Sequence, residues 1–212
     1  MRRFPIVTLV VFLVTAVPST LQFFLPGLEP ALMRVPGSGD WWRTFTSLVV
    51  QDGGVGGTVF NLACLAVIGY FTEQTFGPWR WLLLYAGGAA AGQAAGYLFG
   101  DPGAGNSIAV CGLAAGLAYA SGSLERSIAG FYAAAMLTTA LSSVVIMVVA
   151  CAAAFQLIVQ RNRLPYWTGA ALAAASGIFL TVIGNLHGPA LLGGLAVGAA
   201  IRRNGRLRRG EM

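Results

Sequence analysis

Long apolar stretches alternate along the chain with short polar breaks, and most of the stretches have the length that crosses a bilayer. A spanning helix needs about 20 predominantly apolar residues. Stretches at roughly 6–25, 57–76, 79–99 and 106–123 qualify, followed by 165–184 and a last segment at 187–201. One uncharged run, 127–160, is too long for one ordinary span and short for two. It is closed by Arg161 and Arg163, and the pair Ser142 and Ser143 is a poor turn signal within it. The pattern predicts an all-α polytopic membrane protein. It has eight spans if that run folds as a hairpin and six if part of the run is re-entrant or covered by neighbours.

The longest polar segment, 26–56, carries three acids (Glu29, Asp40, Asp52) and two arginines (Arg34, Arg43). Its adjacent Trp41 and Trp42 suit the headgroup level. It is therefore expected to be an interfacial loop lying in or on the outer leaflet.

Composition narrows the class further. With 57% hydrophobic and 9% charged residues, disorder, collagen, a coiled coil and a cytosolic enzyme are excluded. All 13 basic residues are arginine. Seven of them sit at the ends: Arg2, Arg3, Arg202, Arg203, Arg206, Arg208 and Arg209. This is the positive-inside pattern of cytoplasmic anchoring rather than a nucleic-acid patch. Both termini are expected in the cytoplasm, which requires an even number of crossings. The first apolar run lacks a small-residue cleavage site before Pro26, so it reads as a retained helix rather than a signal peptide. The expected division is a cytoplasmic N-terminus (1–5), a transmembrane domain (6–201) and a basic cytoplasmic tail (202–212). The expected location is the plasma membrane of a bacterium, with the lipid bilayer as a partner and no nucleic acid.

Cys64, Cys111 and Cys151 each lie inside an apolar run and read as small buried hydrophobes. They form neither a disulfide framework nor a zinc-ligand spacing. Glycines recur every fourth residue at Gly88, Gly92, Gly96 and Gly100, at Gly112 and Gly116, and at Gly194 and Gly198. That spacing lets helix backbones approach closely, within one compact bundle or at a dimer face.

Polar groups inside a membrane are costly and therefore informative. The candidates are Asn61, Glu73, Gln93, Ser107, Asn185 and His187. Glu73 reads as structural, bonded to backbone or to an arginine such as Arg80. Ser107 follows the break at 101–105 and falls in the first turn of a helix, where a serine can simply be a cap. His187, the single histidine, lies in Asn185-Leu186-His187-Gly188-Pro189, with the proline suited to a first helical turn. Both helices run from outside to inside in this topology, which puts Ser107 and His187 at similar depth. A serine needs a base within hydrogen-bond reach to become a nucleophile. Asn61 and the backbone N–H of Ser107 are candidate donors to an oxyanion.

These residues resemble the rhomboid family, intramembrane serine proteases built on a six-helix core. Trp42-Arg43 with Thr46 resembles its Trp-Arg loop motif, and Phe60-Asn61 its second-helix asparagine. Gly69-Tyr-Phe-Thr-Glu73-Gln-Thr-Phe-Gly77 resembles the Gly-x-x-x-Glu-x-x-x-Gly signature. Gly105-Asn-Ser107 resembles the segment bearing the nucleophile, and Gly194 with Gly198 the glycine face of the last helix. The resemblance implies Ser107 and His187 as the catalytic pair, with Asn61 and Gly105 supporting the oxyanion. It gives Trp42, Arg43, Glu73, Gly194 and Gly198 structural roles and requires no metal or cofactor.

Three positions depart from the family pattern. Ile108 stands where a glycine follows the nucleophile, and Gly57 stands where a histidine precedes the asparagine by four residues. Leu191 stands where the catalytic histidine is expected, three residues before Gly194. His187 is one turn earlier on the same face, roughly 6 Å toward the outside. The stretch between serine and last helix is also longer than the family core needs, in line with an extra hairpin. Two functions follow: an endopeptidase cleaving transmembrane segments with a Ser107/His187 dyad, or an inactive relative that binds transmembrane helices of client proteins. A transporter or channel is disfavoured by the lack of intramembrane acid–base pairs and of a broken-helix repeat.

Overall fold

The structure is a computed structural model and describes residues 4–140 and 144–209. Arg2, Arg3 and the Ser142–Ser143 step lie outside the described residues, as do the side chains of Cys151, Arg206, Arg208 and Arg209.

The described residues form helices and connecting loops with no strand. The N-terminal half runs α1 (Ile6–Leu21), α2 (Leu28–Leu32), α3 (Arg43–Thr46), α4 (Gly54–Phe76) and α5 (Pro78–Phe99). The rest runs α6 (Ser107–Leu117), α7 (Ser123–Leu137), α8 (Val144–Val159), α9 (Thr168–Val182) and α10 (His187–Arg209). The uncharged run at 127–160 thus contributes two helices, α7 and α8, as the hairpin alternative requires. The polar segment at 26–56 is a loop holding the two short helices α2 and α3. By length and composition, α4 is the one described helix apolar enough to cross a membrane on its own, while α1, α6 and α9 are shorter apolar helices.

Large apolar side chains face outward on several helices: Val10 and Val14 on α1, Val59 on α4, Leu98 on α5, Val149 on α8 and Val182 on α9. Water would penalise such a surface at about 25 cal/mol per Å2, whereas lipid accepts it. The core is different in kind. Every residue of α6 from Ile108 to Leu117 is buried, and the helix is enclosed by α4, α5, α7 and α10. Its small residues make that enclosure feasible. A Cβ at Gly88 or at Gly194 would stand 2.6 Å from the Cα of Gly112. The glycine repeats of α5, α6 and α10 therefore meet one another inside the bundle, with Gly112 at the centre. At its eleven residues α6 is only about 16 Å long, about half the thickness of a hydrocarbon layer.

Glu73 caps a helix at the opposite end of the bundle from Ser107. Its carboxylate accepts bonds from the N–H of Val7 at 3.1 Å, the N–H of Thr8 at 2.7 Å and the hydroxyl of Thr8 at 2.7 Å. A negative group suits the positive end of the α1 dipole and satisfies donors that have no intrahelical acceptor. Two of these bonds are of the expected backbone type, and the third comes from a side chain, the Thr8 hydroxyl. Glu73→Ala is expected to cost about 3 kcal/mol, because it strands several buried donors. A denaturant titration in detergent should show the loss, and an unchanged midpoint would contradict the capping role.

Candidate active site

The N-termini of α6 and α10 lie at the same end of the bundle, and a network of loop bonds holds them there. Arg34 exchanges backbone bonds with Gly103, donating its N–H at 2.8 Å and accepting at 3.1 Å. Its buried guanidinium donates to the Asp101 carbonyl at 2.9 Å and to Gln93 Oε1 at 2.8 Å. Burial lowers the Arg34 pKa from the ordinary arginine value, and the nearby Asp101 carboxylate opposes that shift. Gln93 in turn donates to the Thr44 carbonyl and the Ser47 hydroxyl, both at 2.8 Å. The Gly105 N–H donates to the Ser47 carbonyl at 2.8 Å. The segment entering Ser107 is thereby tied to the loop at 26–56. Arg43 staples that loop from within, pairing with Asp40 at 2.9 Å, reaching the Pro30 and Met33 carbonyls and stacking over Trp42 at 4.7 Å.

The structure brings Ser107 and His187 together. Ser107 Oγ lies 2.8 Å from His187 Nε2. The serine is the first residue of α6, the N-cap position is Asn106, and no side-chain bond caps the helix. Its hydroxyl is thus engaged with the imidazole and is not a cap. On the other side of the ring, Nδ1 lies 2.8 Å from Asn185 Oδ1, and the same oxygen accepts the His187 backbone N–H at 3.0 Å. Both ring nitrogens and the hydroxyl lie on one hydrogen-bonded line. A cavity of about 500 Å3 opens beside them, lined by Ser107, Gly105, Asn185 and His187, with Arg34, Asp52 and Asp101 on a polar side and Ile183 and Leu186 on an apolar one.

Asn61 and Gly105 meet on the far side of the serine. Asn61 Nδ2 donates to Gln51 Oε1 at 2.8 Å. Gly105 has φ +141°, a backbone conformation that L side chains rarely adopt. A Cβ there would stand 3.2 Å from Gln51 Oε1 and 3.7 Å from both Asn61 Nδ2 and Ser107 Oγ. The missing side chain leaves open the space between hydroxyl and amide. The first-turn N–H of Ser107 has no intrahelical acceptor in an α-helix, so it is a second donor near that space.

The departures from the family pattern acquire physical reasons. Ile108 is buried, and its side chain occupies the groove left by Gly92 on α5, where a Cβ would come within 2.6 Å of it. A branched residue after the serine therefore fits. Leu191 is fully buried in the apolar core, one turn beyond the histidine that reaches the serine. At Gly57 a Cβ would meet nothing within 4 Å, so no side chain there approaches Asn61. That approach is made instead by Gln51 from the loop at 26–56. Gln51 is buried; its backbone is gripped on both sides by Gln22, and its Nε2 donates to Asn106 Oδ1 at 3.2 Å. Among the described residues, Asn106 Nδ2 is the buried side-chain nitrogen or oxygen left without a partner. Gln51 and Asn106 carried no signal as single polar residues beside a loop, and Asn185 was one intramembrane amide among several.

The remaining motif residues lie away from the serine. Trp42 and Arg43 brace the loop, Glu73 caps α1, and Gly194 and Gly198 pack α10 against Gly112 and Tyr119 of the neighbouring chain segment.

Fold and site define an all-α integral membrane protein with a serine and a histidine paired at one end of a helical bundle. The family model of the Rhomboid domain matches residues 38–203, and the chain belongs to that family. Over 82 residues it is 34% identical to the rhomboid protease GluP of Bacillus subtilis (strain 168), a match covering 38% of this chain and 16% of that protein. No solved structure matches the chain.

Proposed function

We propose that the chain is a serine endopeptidase that cleaves transmembrane segments of other proteins within or at the edge of the bilayer. The observation that carries this reading is the 2.8 Å contact between Ser107 Oγ and His187 Nε2, which is within the reach required of a general base. Ser107 Oγ attacks the peptide carbonyl carbon while its proton passes to His187 Nε2. The developing oxyanion is held by the Ser107 N–H and by the Asn61 amide. His187 then protonates the leaving amine, and a water from the cavity repeats the sequence on the acyl-enzyme, returning the proton to the serine. The arginine distribution supports both termini in the cytoplasm of a bacterium, a transmembrane domain at 6–201 and a basic tail at 202–212. In that orientation the dyad opens toward the outer leaflet.

The test is incubation of purified protein with several model transmembrane substrates. Wild type is expected to cleave at least one, and Ser107→Ala is expected to cleave none. Cleavage persisting in the serine variant, or absent from wild type throughout, would overturn the reading. A second reading, client binding without cleavage, is favoured by the empty position at Gly57. It predicts equal capture of transmembrane helices by wild type and Ser107→Ala, with no product from either.

A further inference from the structure

Asn185 stands between the end of α9 and the start of α10. Gly184, at φ +75°, reverses the chain after α9, and the Asn185 N–H closes back onto the Leu180 carbonyl at 2.8 Å. The side chain then faces forward to the first residue of α10. Its Oδ1 takes two bonds, from the His187 backbone N–H at 3.0 Å and with the His187 ring at 2.8 Å. The first alone is what an asparagine does in an Asx turn leading into a helix. The second is not required by such a turn.

Together the two bonds fix a proton. A backbone N–H can only donate, so the Asn185 atom facing it is the carbonyl oxygen rather than the amide nitrogen. That oxygen can only accept, so the imidazole nitrogen 2.8 Å from it carries the hydrogen. In a neutral imidazole one nitrogen is a donor and the other an acceptor, so Nε2 presents its lone pair to Ser107 Oγ. We propose that Asn185 is a positioning residue that holds His187 as the Nδ1–H tautomer and aims Nε2 at the nucleophile, making a Ser107–His187–Asn185 triad. A histidine oriented by an asparagine serves a cysteine nucleophile in papain-like proteases, and the same logic applies to a serine. Asn185 Oδ1 also faces the positive charge that the ring gains when it takes the serine proton, so the contact strengthens during attack. This inference rests on the proposed protease reading for its kinetic consequence, but the tautomer does not depend on it.

Three substitutions separate the two bonds. Asn185→Asp keeps an acceptor for both. Asn185→Ser keeps an acceptor for the backbone N–H, since serine hydroxyls form the same turn, if more weakly, but is too short to hold the ring. Asn185→Leu keeps neither. Because the chain has one histidine, the full-length protein labelled with 15N-histidine and purified by a histidine-free tag gives one imidazole to follow by NMR, read in mildly alkaline buffer. Wild type and Asn185→Asp are expected to show Nδ1 protonated and Nε2 bare. Asn185→Ser is expected to populate the Nε2–H form, and its kcat on a cleaved substrate should fall about 10- to 100-fold with KM nearly unchanged. Asn185→Asp should keep most of kcat. An Nε2–H ring in wild type would overturn the proposal even if no variant folds. So would an unchanged tautomer or an unchanged kcat in Asn185→Ser. Failure of wild type to cleave any substrate would instead overturn the protease reading, and the tautomer would then still decide the role of Asn185.

Discussion

His187→Ala is expected to lower kcat by about a million-fold with little change in KM, the loss seen when a serine hydrolase is deprived of its base. The chain offers no substitute, because no second histidine exists and the residue one turn along, Leu191, is a buried aliphatic side chain. Substrate contacts made elsewhere in the cavity are untouched, hence the steady KM. The truncation also leaves a ring-sized space beside an open cavity of about 500 Å3. Added imidazole should therefore restore part of the rate in His187→Ala and none in Ser107→Ala. Steady-state cleavage assays with and without imidazole check both points. A kcat within tenfold of wild type would remove His187 from the mechanism.

Gly105→Ala is expected to have the next largest effect, a fall in kcat of about 100- to 1,000-fold, comparable to losing one oxyanion donor. Two causes act in the same direction. The backbone at φ +141° is strained for any residue with a Cβ, and the added methyl would sit 3.7 Å from both Ser107 Oγ and Asn61 Nδ2, in the space the oxyanion must enter. Covalent capture of Ser107 by small phosphonates, whose phosphoryl oxygen enters the same space, should fall together with peptide cleavage. A peptide kcat within threefold of wild type would show that the oxyanion forms elsewhere.

Much of this arrangement was legible in the chain because lipid imposes a simple rule. Apolar runs become helices, and the runs at 57–76 and 79–99 match α4 and α5 within a few residues. Where packing rather than solvation decides, the reading ran out. The run at 127–160 contains no strong turn residue, and the two helices it forms are held by α7, which packs against both α8 and α9. The stretch at 106–123 carries no charge, yet the helix stops at Leu117.

The register of the histidine was open for a specific reason. Gly194 packs on Gly112, and counting back at about 1.5 Å per residue puts Ser107 about 7.5 Å above that contact. His187 lies about 10.5 Å and Leu191 about 4.5 Å above it by the same count. The serine stands midway between the two levels, so axial spacing favours neither, and only the position of the loop through Gly184 and Asn185 selects His187. The amides at Gln51 and Asn106 were invisible for a related reason. Their partners are 10 and 55 residues away along the chain, and nothing in local pattern reports such a contact.

The central claim is that Ser107 is a nucleophile activated by His187. It is tested most directly by reacting the purified protein with a fluorophosphonate probe and mapping the adduct by mass spectrometry of the peptide spanning 105–113. A single adduct on Ser107 is expected in wild type and almost none in His187→Ala at the same exposure. Folded wild-type protein that takes no adduct at Ser107, or a His187→Ala variant labelled at the wild-type rate, would contradict it.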